Sequence, residues 1–480
     1  MSAYPFIGRE NYLEILEDEL GIVRADRVGR FVSMRGRRRV GKSRLVEEFV
    51  HGTGLPYVYY TATHDPLETE LENFTADVAA SSLPGASDVA GGLSFRNWSA
   101  ALSWVATQAT PEALSILVID ELPYLVETDP GFEATLQRVW DRELSKRPVL
   151  VVIVGSDVSM MEALNQYGRP LYQRPTKEVV VEPFTPWELA SMLGLSPTDA
   201  FDAYLVIGGF PLIAQAWRSS SSLWKFLERQ LSDPTSPLIV TGERIMRAEF
   251  PTETQAADVL RAIRGGERTF TNIQRDARNI AATSLNRSLT TLVETKGVVD
   301  ALLPHVPGKS KETRYIVKDA YLRFWLRYIR PNLDAIERGR SDLVVERIRN
   351  DWSTYRGKAI EPVVQRSIER MLPDDRFDGA RSVGGYWTRT NDPEVDLTGL
   401  AYDQHHRPTR TAFVGSIKWR GRSPFGRSDT NALDEVLPLV PSTDEETLRV
   451  GVSTTGFRNS GLDVELEPAE LLGAWKPRRT

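Results

Sequence analysis

A short glycine-rich stretch near the N-terminus constrains the fold of this chain more than any other feature. Residues 36–43, GRRRVGKS, fit the pattern G-x-x-x-x-G-K-[ST]. Phe31 to Met34 predict a buried strand before the stretch, and Leu45, Val46 and Phe49 follow it at helical spacing. A glycine loop between a strand and a helix lets backbone N–H groups surround phosphate oxygens beside the positive end of the helix. The stretch therefore predicts a phosphate-binding loop in an α/β fold.

The side chains of this loop extend the prediction to a nucleoside triphosphate held with Mg²⁺. Lys42 supplies a positive point charge for the β- and γ-phosphates, and the Ser43 hydroxyl is a candidate magnesium ligand. Backbone and side chains of the whole loop are candidate nucleotide contacts: Gly36, Arg37, Arg38, Arg39, Val40, Gly41, Lys42, Ser43 and Arg44.

Two later apolar stretches end in polar residues. Residues 116–119 predict a buried strand that runs into Asp120 and Glu121, and PVLVVIVGS predicts another that ends at Ser156. Ligands of a parallel sheet lie at the C-terminal ends of its strands. We expect Asp120 to hold Mg²⁺, Glu121 to polarise the attacking water and Ser156 to sense the γ-phosphate as catalytic residues with Lys42. An ordinary turn is the alternative for Ser156.

Composition narrows the class of protein. At 480 residues, with 41% hydrophobic and 26% charged residues, the chain is long enough for about two to four globular domains. No apolar run reaches the roughly 18 residues of a membrane helix, and the start lacks a secretion-signal pattern. Without cysteine there is no disulfide framework or thiol catalysis. A net charge of −6 excludes a broadly basic nucleic-acid coat, so any DNA contact must be local. We expect a cytoplasmic protein with no membrane partner.

Several short segments occur together in an order that resembles a known family. They are FIGRE at 6–10, GRRRVGKS at 36–43, VIDELPYL at 118–125, VGSDVSMM at 154–161, YGRPLYQR at 167–174 followed by VEPFTPWEL, and GGFPLI at 208–213. The stretch from about residue 4 to residue 230 is similar to the archaeal-type ATPases of the signal-transduction (STAND) class of AAA+ P-loop proteins. The resemblance implies that ATP and Mg²⁺ are the cofactors.

The same resemblance assigns further residues to the nucleotide site. It implies that Gly8, Arg9 and Glu10 lie near the adenine and that Pro211, in a helical lid, approaches the nucleotide. Arg169 and Arg174 fall in the arginine-bearing segment of the family, and such an arginine can stabilise the transition state of phosphoryl transfer. Surface salt pairing is the alternative for both arginines.

The middle of the chain predicts a different kind of domain. From about residue 251 the pattern gives three short helices and a hairpin, which is the plan of a winged helix, and the family places such a domain here. The spacing predicts a buried stripe of Leu285, Leu289, Leu292 and Val293, with Asn286, Arg287 and Thr290 outside. On that outer face only Arg287 is an obvious candidate for reading a base. We therefore favour a structural or regulatory module over sequence-specific recognition.

An aromatic stretch follows, DAYLRFWLRYIRPN at 319–332. We expect a core helix with Arg323, Arg327 and Arg330 on its wet side, before an exposed linker, IERGRSDL. Stacking of nucleic-acid bases on Phe324 or Trp325 is the alternative.

The last part of the chain resembles the C-terminal domain of the same family, which is similar to restriction-endonuclease-like PD-(D/E)xK folds. The resemblance implies that a helix glutamate, a strand aspartate and an acid-x-lysine pair surround Mg²⁺. Those positions are Glu361, Asp396 and Lys418, but the acid position is held by Ser416. Ser416 is neutral and a poor magnesium ligand, so cleavage is expected to be weakened or absent. Glu394, two residues from Asp396 on its strand, is the candidate to fill the gap.

Together these patterns predict a multidomain α/β protein that acts as a Mg-ATP-dependent switch. The expected domains are a P-loop ATPase core at 1–185, a helical lid at 186–245, a winged helix at 246–318, a connecting aromatic helix and linker at 319–345, and a nuclease-like domain at 346–480. The expected partners are double-stranded DNA or a protein, with an ATP-dependent homo-oligomer allowed. Two alternatives stay open: an ATP-controlled metal-dependent DNA nuclease, of defence or mobile-element type, and a winged-helix regulator reading DNA through Arg287.

Overall fold

The computed structural model describes residues 6–217, 222–250, 254–308 and 310–477. The described residues up to Pro183 form an N-terminal unit, and Phe184–Lys476 form a C-terminal unit. Within the described ranges, no helix combines the length and the apolar character that crossing a membrane requires.

The N-terminal unit is built on a parallel five-stranded sheet. Its strands lie in the order β2-β3-β4-β1-β5. They are β1 (Arg30–Arg35), β2 (Tyr57–Thr61), β3 (Ser115–Asp120), β4 (Val149–Gly155) and β5 (Lys177–Val180). Every residue of β3 and β4 is buried, as expected of central strands covered by helices on both faces. The predicted parallel sheet is therefore confirmed.

Among the described residues of this unit, eight α-helices connect and cover these strands. They are α1 (Glu10–Asp26), α2 (Lys42–Thr53), α3 (Leu67–Ala79), α4 (Ala86–Ala90), α5 (Trp98–Gln108), α6 (Leu122–Thr128), α7 (Phe132–Arg142) and α8 (Val158–Leu164). The core between sheet and helices is rich in aromatic residues, and Trp98 lies with its ring against those of Tyr60, Phe74 and Phe132. This core fixes the strand ends that carry the candidate site.

In the described ranges between 184 and 250, the C-terminal unit begins with these helices: α9 (Pro186–Leu193), α10 (Pro197–Ile207), α11 (Pro211–Trp217), α12 (Leu223–Leu231) and α13 (Pro237–Glu249). Their starts follow local chemistry. Thr185 and Glu188 form a capping box before α9, and Ser196 caps α10. Both of these helices have proline in their first turn, where no backbone N–H is needed.

A small helical and antiparallel segment comes next. Its elements are α14 (Gln255–Ile263), β6 (Arg268–Thr269), α15 (Phe270–Asp276), α16 (Ala282–Thr290), β7 (Val299–Leu302) and β8 (Arg314–Val317). The strands form an antiparallel sheet in the order β6-β8-β7. Leu285, Leu289 and Leu292 are buried and Arg287 is exposed, as the helical spacing predicted, whereas Val293 is only half-buried.

The aromatic stretch is part of the core. It contains α17 (Ala320–Phe324), one π-helical turn and a 3₁₀ turn, followed by α18 (Leu333–Glu337) and α19 (Ser341–Met371). Phe324 and Trp325 are buried, so stacking of bases on them is excluded in this conformation. The prediction was wrong for Arg323, which is buried rather than on a wet side because the helix packs on more than one face. The linker is shorter than expected, because only residues 338–340 separate α18 from α19.

The rest of the C-terminal unit is a mixed five-stranded sheet in the order β15-β13-β11-β10-β9. The elements are β9 (Ala380–Trp387), β10 (Glu394–Tyr402), β11 (Pro408–Lys418), β12 (Phe425–Gly426), α20 (Arg427–Val436), β13 (Leu448–Ser453), β14 (Phe457–Arg458), β15 (Val464–Leu466) and α21 (Pro468–Gly473). Strands β9, β10 and β11 are antiparallel, whereas β13 and β15 run parallel to β11.

Candidate functional site

The glycine loop of the N-terminal unit connects β1 to α2. Gly41 precedes α2 with a φ of 91°, a left-handed conformation that favours glycine. A Cβ atom on Gly36 would lie 2.4 Å from the carbonyl oxygen of Val181, so no larger residue fits there. The backbone of the loop is therefore shaped by its two glycines, as the sequence pattern requires.

Lys42, the first residue of α2, is turned onto the loop. Its Nζ donates hydrogen bonds to the carbonyl oxygens of Gly36, at 2.7 Å, and Arg37, at 3.1 Å. Burial lowers the pKa of Lys42 to about 8, against the opposing effect of the Glu121 and Asp120 carboxylates. The buried ammonium group of Lys42 thus interacts with both the phosphate-binding loop and two carboxylates. This arrangement suits an anion that binds together with a cation.

Asp120, at the end of β3, lies beside the first turn of α2. Tyr59 makes this connection: its hydroxyl donates to Asp120 Oδ2 at 2.9 Å and lies 3.5 Å from the Ser43 carbonyl oxygen. The other Asp120 oxygen accepts the Glu121 backbone N–H at 2.9 Å. Burial first, and then Asp120, raise the pKa of the Tyr59 hydroxyl, so Tyr59 stays a donor. Sequence reasoning missed Tyr59.

The candidate ligands near Asp120 fit Mg²⁺ better than a metal ion that takes all of its ligands from the protein. Among the described residues, no group of three or more histidine, cysteine, aspartate or glutamate side chains could hold a metal ion. Mg²⁺ usually takes one or two protein ligands and completes its octahedron with water and substrate phosphates. Ser43 and Asp120 are the residues that could supply such a pair.

Glu121 and Ser156 are bonded to each other across neighbouring strand ends. The Ser156 hydroxyl donates to the Glu121 carboxylate, with O–O distances of 2.7 and 2.8 Å, and the Ser156 backbone N–H adds a bond of 3.2 Å. Since β4 lies between β1 and β3, Ser156 sits between the glycine loop and the two acids. Glu121 has a φ of 53°, an uncommon left-handed conformation that often marks functional positions.

Arg9 ties the N-terminal segment to the loop. Its guanidinium donates to the carbonyl oxygens of Val40, at 2.9 Å, and Glu182, at 2.6 Å, and the residue is 3% exposed. Gly8, before it, has a φ of 73°. The structure thus places Gly8 and Arg9, from the first family segment, next to the glycine loop.

Most other arginines assigned to the nucleotide site make protein contacts. Arg38 donates to the Tyr124 hydroxyl, and Arg44 pairs with Glu48 at 3.1 Å. Arg169 pairs with the buried Glu133 at 2.6 Å, which is the salt-pair alternative for this residue. The remaining assignments are described by position: Arg37 and Arg39 lie within the loop, Arg174 pairs with Asp141, and Pro211 is the first residue of α11 in the C-terminal unit.

Part of the acidic cluster predicted for the C-terminal unit converges. Asp396 Oδ2 accepts the Ser416 hydroxyl at 3.2 Å and the Ile417 backbone N–H at 2.8 Å. Burial, and next the charge of Asp396, raise the pKa of Glu361 well above its usual range. Lys418 ends β11 two residues after Ser416. The serine therefore occupies the position beside Asp396 at which the family pattern has an acid.

Glu394, the candidate for that gap, is paired with cations. Its carboxylate accepts bonds from Lys358, at 2.9 Å, and from Arg314, at 3.3 Å, and Lys358 also pairs with Glu361 at 3.1 Å. These cations lower the pKa of Glu394 against the effect of burial. Glu394 is therefore paired with two cations in this structure, and its replacement of the missing acid stays a prediction.

Comparison with known proteins agrees with the geometry of the N-terminal unit. Residues 6–213 match the family described as an ATPase domain predominantly from Archaea. This region is an archaeal-type ATPase domain. Residues 325–429 match DUF234, a family described as archaeal and bacterial proteins of unknown function. The two matches support an ATP-binding ATPase followed by a C-terminal domain without an assigned activity.

Similar individual proteins extend over most of the chain. An uncharacterized protein of Methanocaldococcus jannaschii is 26% identical over 419 residues, covering 86% of this chain and 88% of its own. Among solved structures, the Walker-type ATPase of Pyrococcus abyssi is 18% identical with a TM-score of 0.48, covering 68% of this chain and 99% of its own. The ORC2 protein of Aeropyrum pernix is 13% identical with a TM-score of 0.47, covering 73% and 98%.

Proposed function

We propose that this protein is a Mg-ATP-hydrolysing regulatory switch of the STAND type, with a C-terminal domain that binds DNA or a protein partner and does not cut DNA. One observation carries the ATPase proposal: Lys42, Asp120 and the Glu121–Ser156 pair lie at the C-terminal ends of three adjacent parallel strands. Strand-end clusters of this kind are where parallel sheets bind nucleotides.

The roles of these residues follow from their chemistry. The loop amides and Lys42 hold the β- and γ-phosphates, and Ser43 and Asp120 hold Mg²⁺, which neutralises charge on the phosphates when bound. Glu121 orients the attacking water and accepts its proton, and Ser156 keeps the Glu121 carboxylate at the required place. Arg169 can act on the transition state only after releasing Glu133.

A conservative change at Glu121 tests the ATPase proposal. Glu121→Gln keeps the size of the side chain but removes the base, so kcat should fall by about 10²–10⁴ while KM for ATP changes little. Glu112→Gln, on an exposed loop residue of the same unit, is the matched control and should leave kcat unchanged. Unchanged turnover in Glu121→Gln would remove the role assigned to this carboxylate.

The element order of the C-terminal sheet supports a nuclease-like ancestry. A long helix, α19, precedes the antiparallel strands β9, β10 and β11, and α20 leads to β13, which runs parallel to β11. Glu361 and Asp396 interact at this sheet, but neutral Ser416 stands where a third ligand is needed. Because phosphodiester hydrolysis needs carboxylates to hold the metal ions, we propose that this site is inactive.

Contacts of the β7–β8 connection favour a structural winged helix over one that reads DNA. The His305 backbone N–H donates to the Gly385 carbonyl at 2.8 Å, and Trp387 Nε1 donates to the Glu312 carbonyl at 2.8 Å. Both ends of the connection, which would be the wing, are thereby fixed to β9. A wing that is bound to its own C-terminal domain is not free to enter a DNA groove.

Plasmid cleavage with Mg²⁺ or Mn²⁺, with and without ATP, tests the inactive site. The wild-type chain should leave supercoiled DNA intact. Ser416→Glu restores a carboxylate beside Asp396 and should increase Mn²⁺ affinity by about tenfold or more in titration calorimetry, and Asp396→Ala in the same background should abolish that gain. Wild-type cleavage that disappears in Asp396→Ala would instead establish the nuclease alternative.

A further inference from the structure

An arginine-rich cleft in the C-terminal unit has no role in the function proposed above. It has a volume of about 850 Å³ and lies between α14, the end of α15, the segment 326–331 and α19. This volume is within the roughly 300–1,000 Å³ of sites for small organic ligands. All residues that line it belong to the C-terminal unit, whereas the glycine loop belongs to the N-terminal unit.

Some of its arginines are paired with aspartates. Three such pairs line the cleft: Arg261 with Asp258 at 2.8 Å, Arg268 with Asp276 at 3.9 Å, and Arg327 with Asp351 at 2.6 Å. Each of the three aspartates that line the cleft is thus paired with an arginine of the cleft.

Other arginines in the same cleft have no aspartate as an ion-pair partner among the described residues. Arg264, Arg278, Arg330 and Arg347 make no ion pair and no side-chain hydrogen bond within the part of the chain that the structure describes. Seven arginines against three aspartates give this cleft a formal surplus of four positive charges, in a chain whose net charge is −6. A surplus of this size concentrated in one concave site attracts anions strongly.

Two guanidinium groups of the cleft are partly desolvated. Arg261 Nε is buried without a hydrogen-bond partner among the described residues. Arg330 is half-buried, and burial together with the nearby Arg261 lowers its pKa. Bringing like charges close together costs free energy, and so does removing water from them. A bound multivalent anion would offset both costs.

The shape and chemistry of the cleft indicate the ligand class. Guanidinium groups form paired hydrogen bonds with phosphate oxygens, and several of them facing one concavity suit a compact anion with more than one phosphate. The same cleft also has an apolar wall, formed by Ala262, Ile280, Leu326 and Pro331. The exposed Arg287 on α16, the candidate for contact with duplex DNA, does not line it. We propose that this cleft is a second anion site that binds a soluble oligophosphate, such as a phosphorylated nucleotide.

Inorganic tripolyphosphate is a suitable probe because it tests the phosphate chemistry alone. Calorimetry on the full chain carrying Lys42→Met removes the contribution of the glycine loop, so the result does not depend on the proposed ATPase. Binding should occur, and Arg264→Met with Arg330→Met should weaken it by about tenfold or more. Arg381→Met with Arg389→Met, on exposed residues of the same unit, is the charge-matched control and should leave the affinity unchanged.

Two further measurements make the result decisive. Arg264 is exposed, so Arg264→Met alone should fold normally and weaken tripolyphosphate binding in the same direction. Fluorescence anisotropy with a short DNA duplex distinguishes the two sources of phosphate. No tripolyphosphate binding, equal weakening in both double variants, or a cleft that binds the duplex but not tripolyphosphate would each overturn the proposal.

Discussion

The Ser156 hydroxyl lies 2.7 and 2.8 Å from the two carboxylate oxygens of Glu121, and the Ser156 backbone N–H donates to the same group. This pair joins the end of β4 to the end of β3. Since β4 also adjoins β1, which leads into the glycine loop, Ser156 lies between the proposed γ-phosphate site and the proposed catalytic base, Glu121.

Loss of the Ser156 hydroxyl should therefore affect turnover more than binding. Ser156→Ala keeps the backbone N–H but frees the Glu121 carboxylate, so we expect kcat to fall by about tenfold with KM for ATP within about threefold. Steady-state ATP hydrolysis measures both quantities. Ser159→Ala, on an exposed residue of α8, is the control, and an equal loss in both variants would assign the effect to the segment rather than to this hydrogen bond.

The buried Lys42 should make ATP use sensitive to alkaline pH. Burial lowers its pKa to about 8, and only the protonated form attracts phosphate. As pH rises from 8 to 9 the protonated fraction of Lys42 in the free protein falls by about fivefold, and kcat/KM should fall with it. Lys42→Arg stays charged, so its kcat/KM, although lower, should be flat over this range. A wild-type profile that is flat to pH 10 would contradict the predicted titration.

The connection between β7 and β8 should make folding of the C-terminal unit sensitive to acid. His305 Nε2 lies 2.8 Å from the Ser382 hydroxyl, and burial lowers the pKa of His305 to about 4. Between pH 6.5 and 4 the unfolded chain binds this proton and the folded chain does not, so stability falls as pH falls. The loss approaches about 3 kcal/mol at pH 4 and disappears above pH 6.5.

Denaturant unfolding followed by tryptophan fluorescence at several pH values measures this dependence. His305→Gln should be less stable at pH 7 but should lose the part of the pH dependence due to His305. His405→Gln, on an exposed histidine, should keep the wild-type dependence. Identical pH dependence in wild type and His305→Gln would show that His305 does not titrate as proposed.

Sequence patterns could predict much of the N-terminal unit because its main features are local. The glycine loop, the apolar run of β3 and the apolar run of β4 each carry their chemistry within a few residues. Tyr59 could not be found this way. Its contact with Asp120 exists only because β2 pairs with β3, and that pairing joins segments about 60 residues apart.

The features of the C-terminal unit that sequence reasoning missed are also long-range. Arg323 follows the helical pattern of a solvent-facing residue, yet it is buried beside Gly265 and near Tyr355 of α19. The arginine cleft joins Arg264 to Arg330 and Arg347 from separate helices. By contrast, the neutral Ser416 at the position expected to hold an acid is read directly from the sequence, because one residue in a short pattern is local information.

Steady-state ATP hydrolysis by Lys42→Met tests the central claim most directly. Methionine has about the length of lysine but no charge, so it removes the phosphate contact with little change in volume. The account predicts that Mg²⁺-dependent kcat/KM falls by about 100-fold or more, while Lys225→Met, on an exposed lysine of α12, keeps the wild-type value. Wild-type turnover in Lys42→Met would contradict the assignment of ATP to the glycine loop.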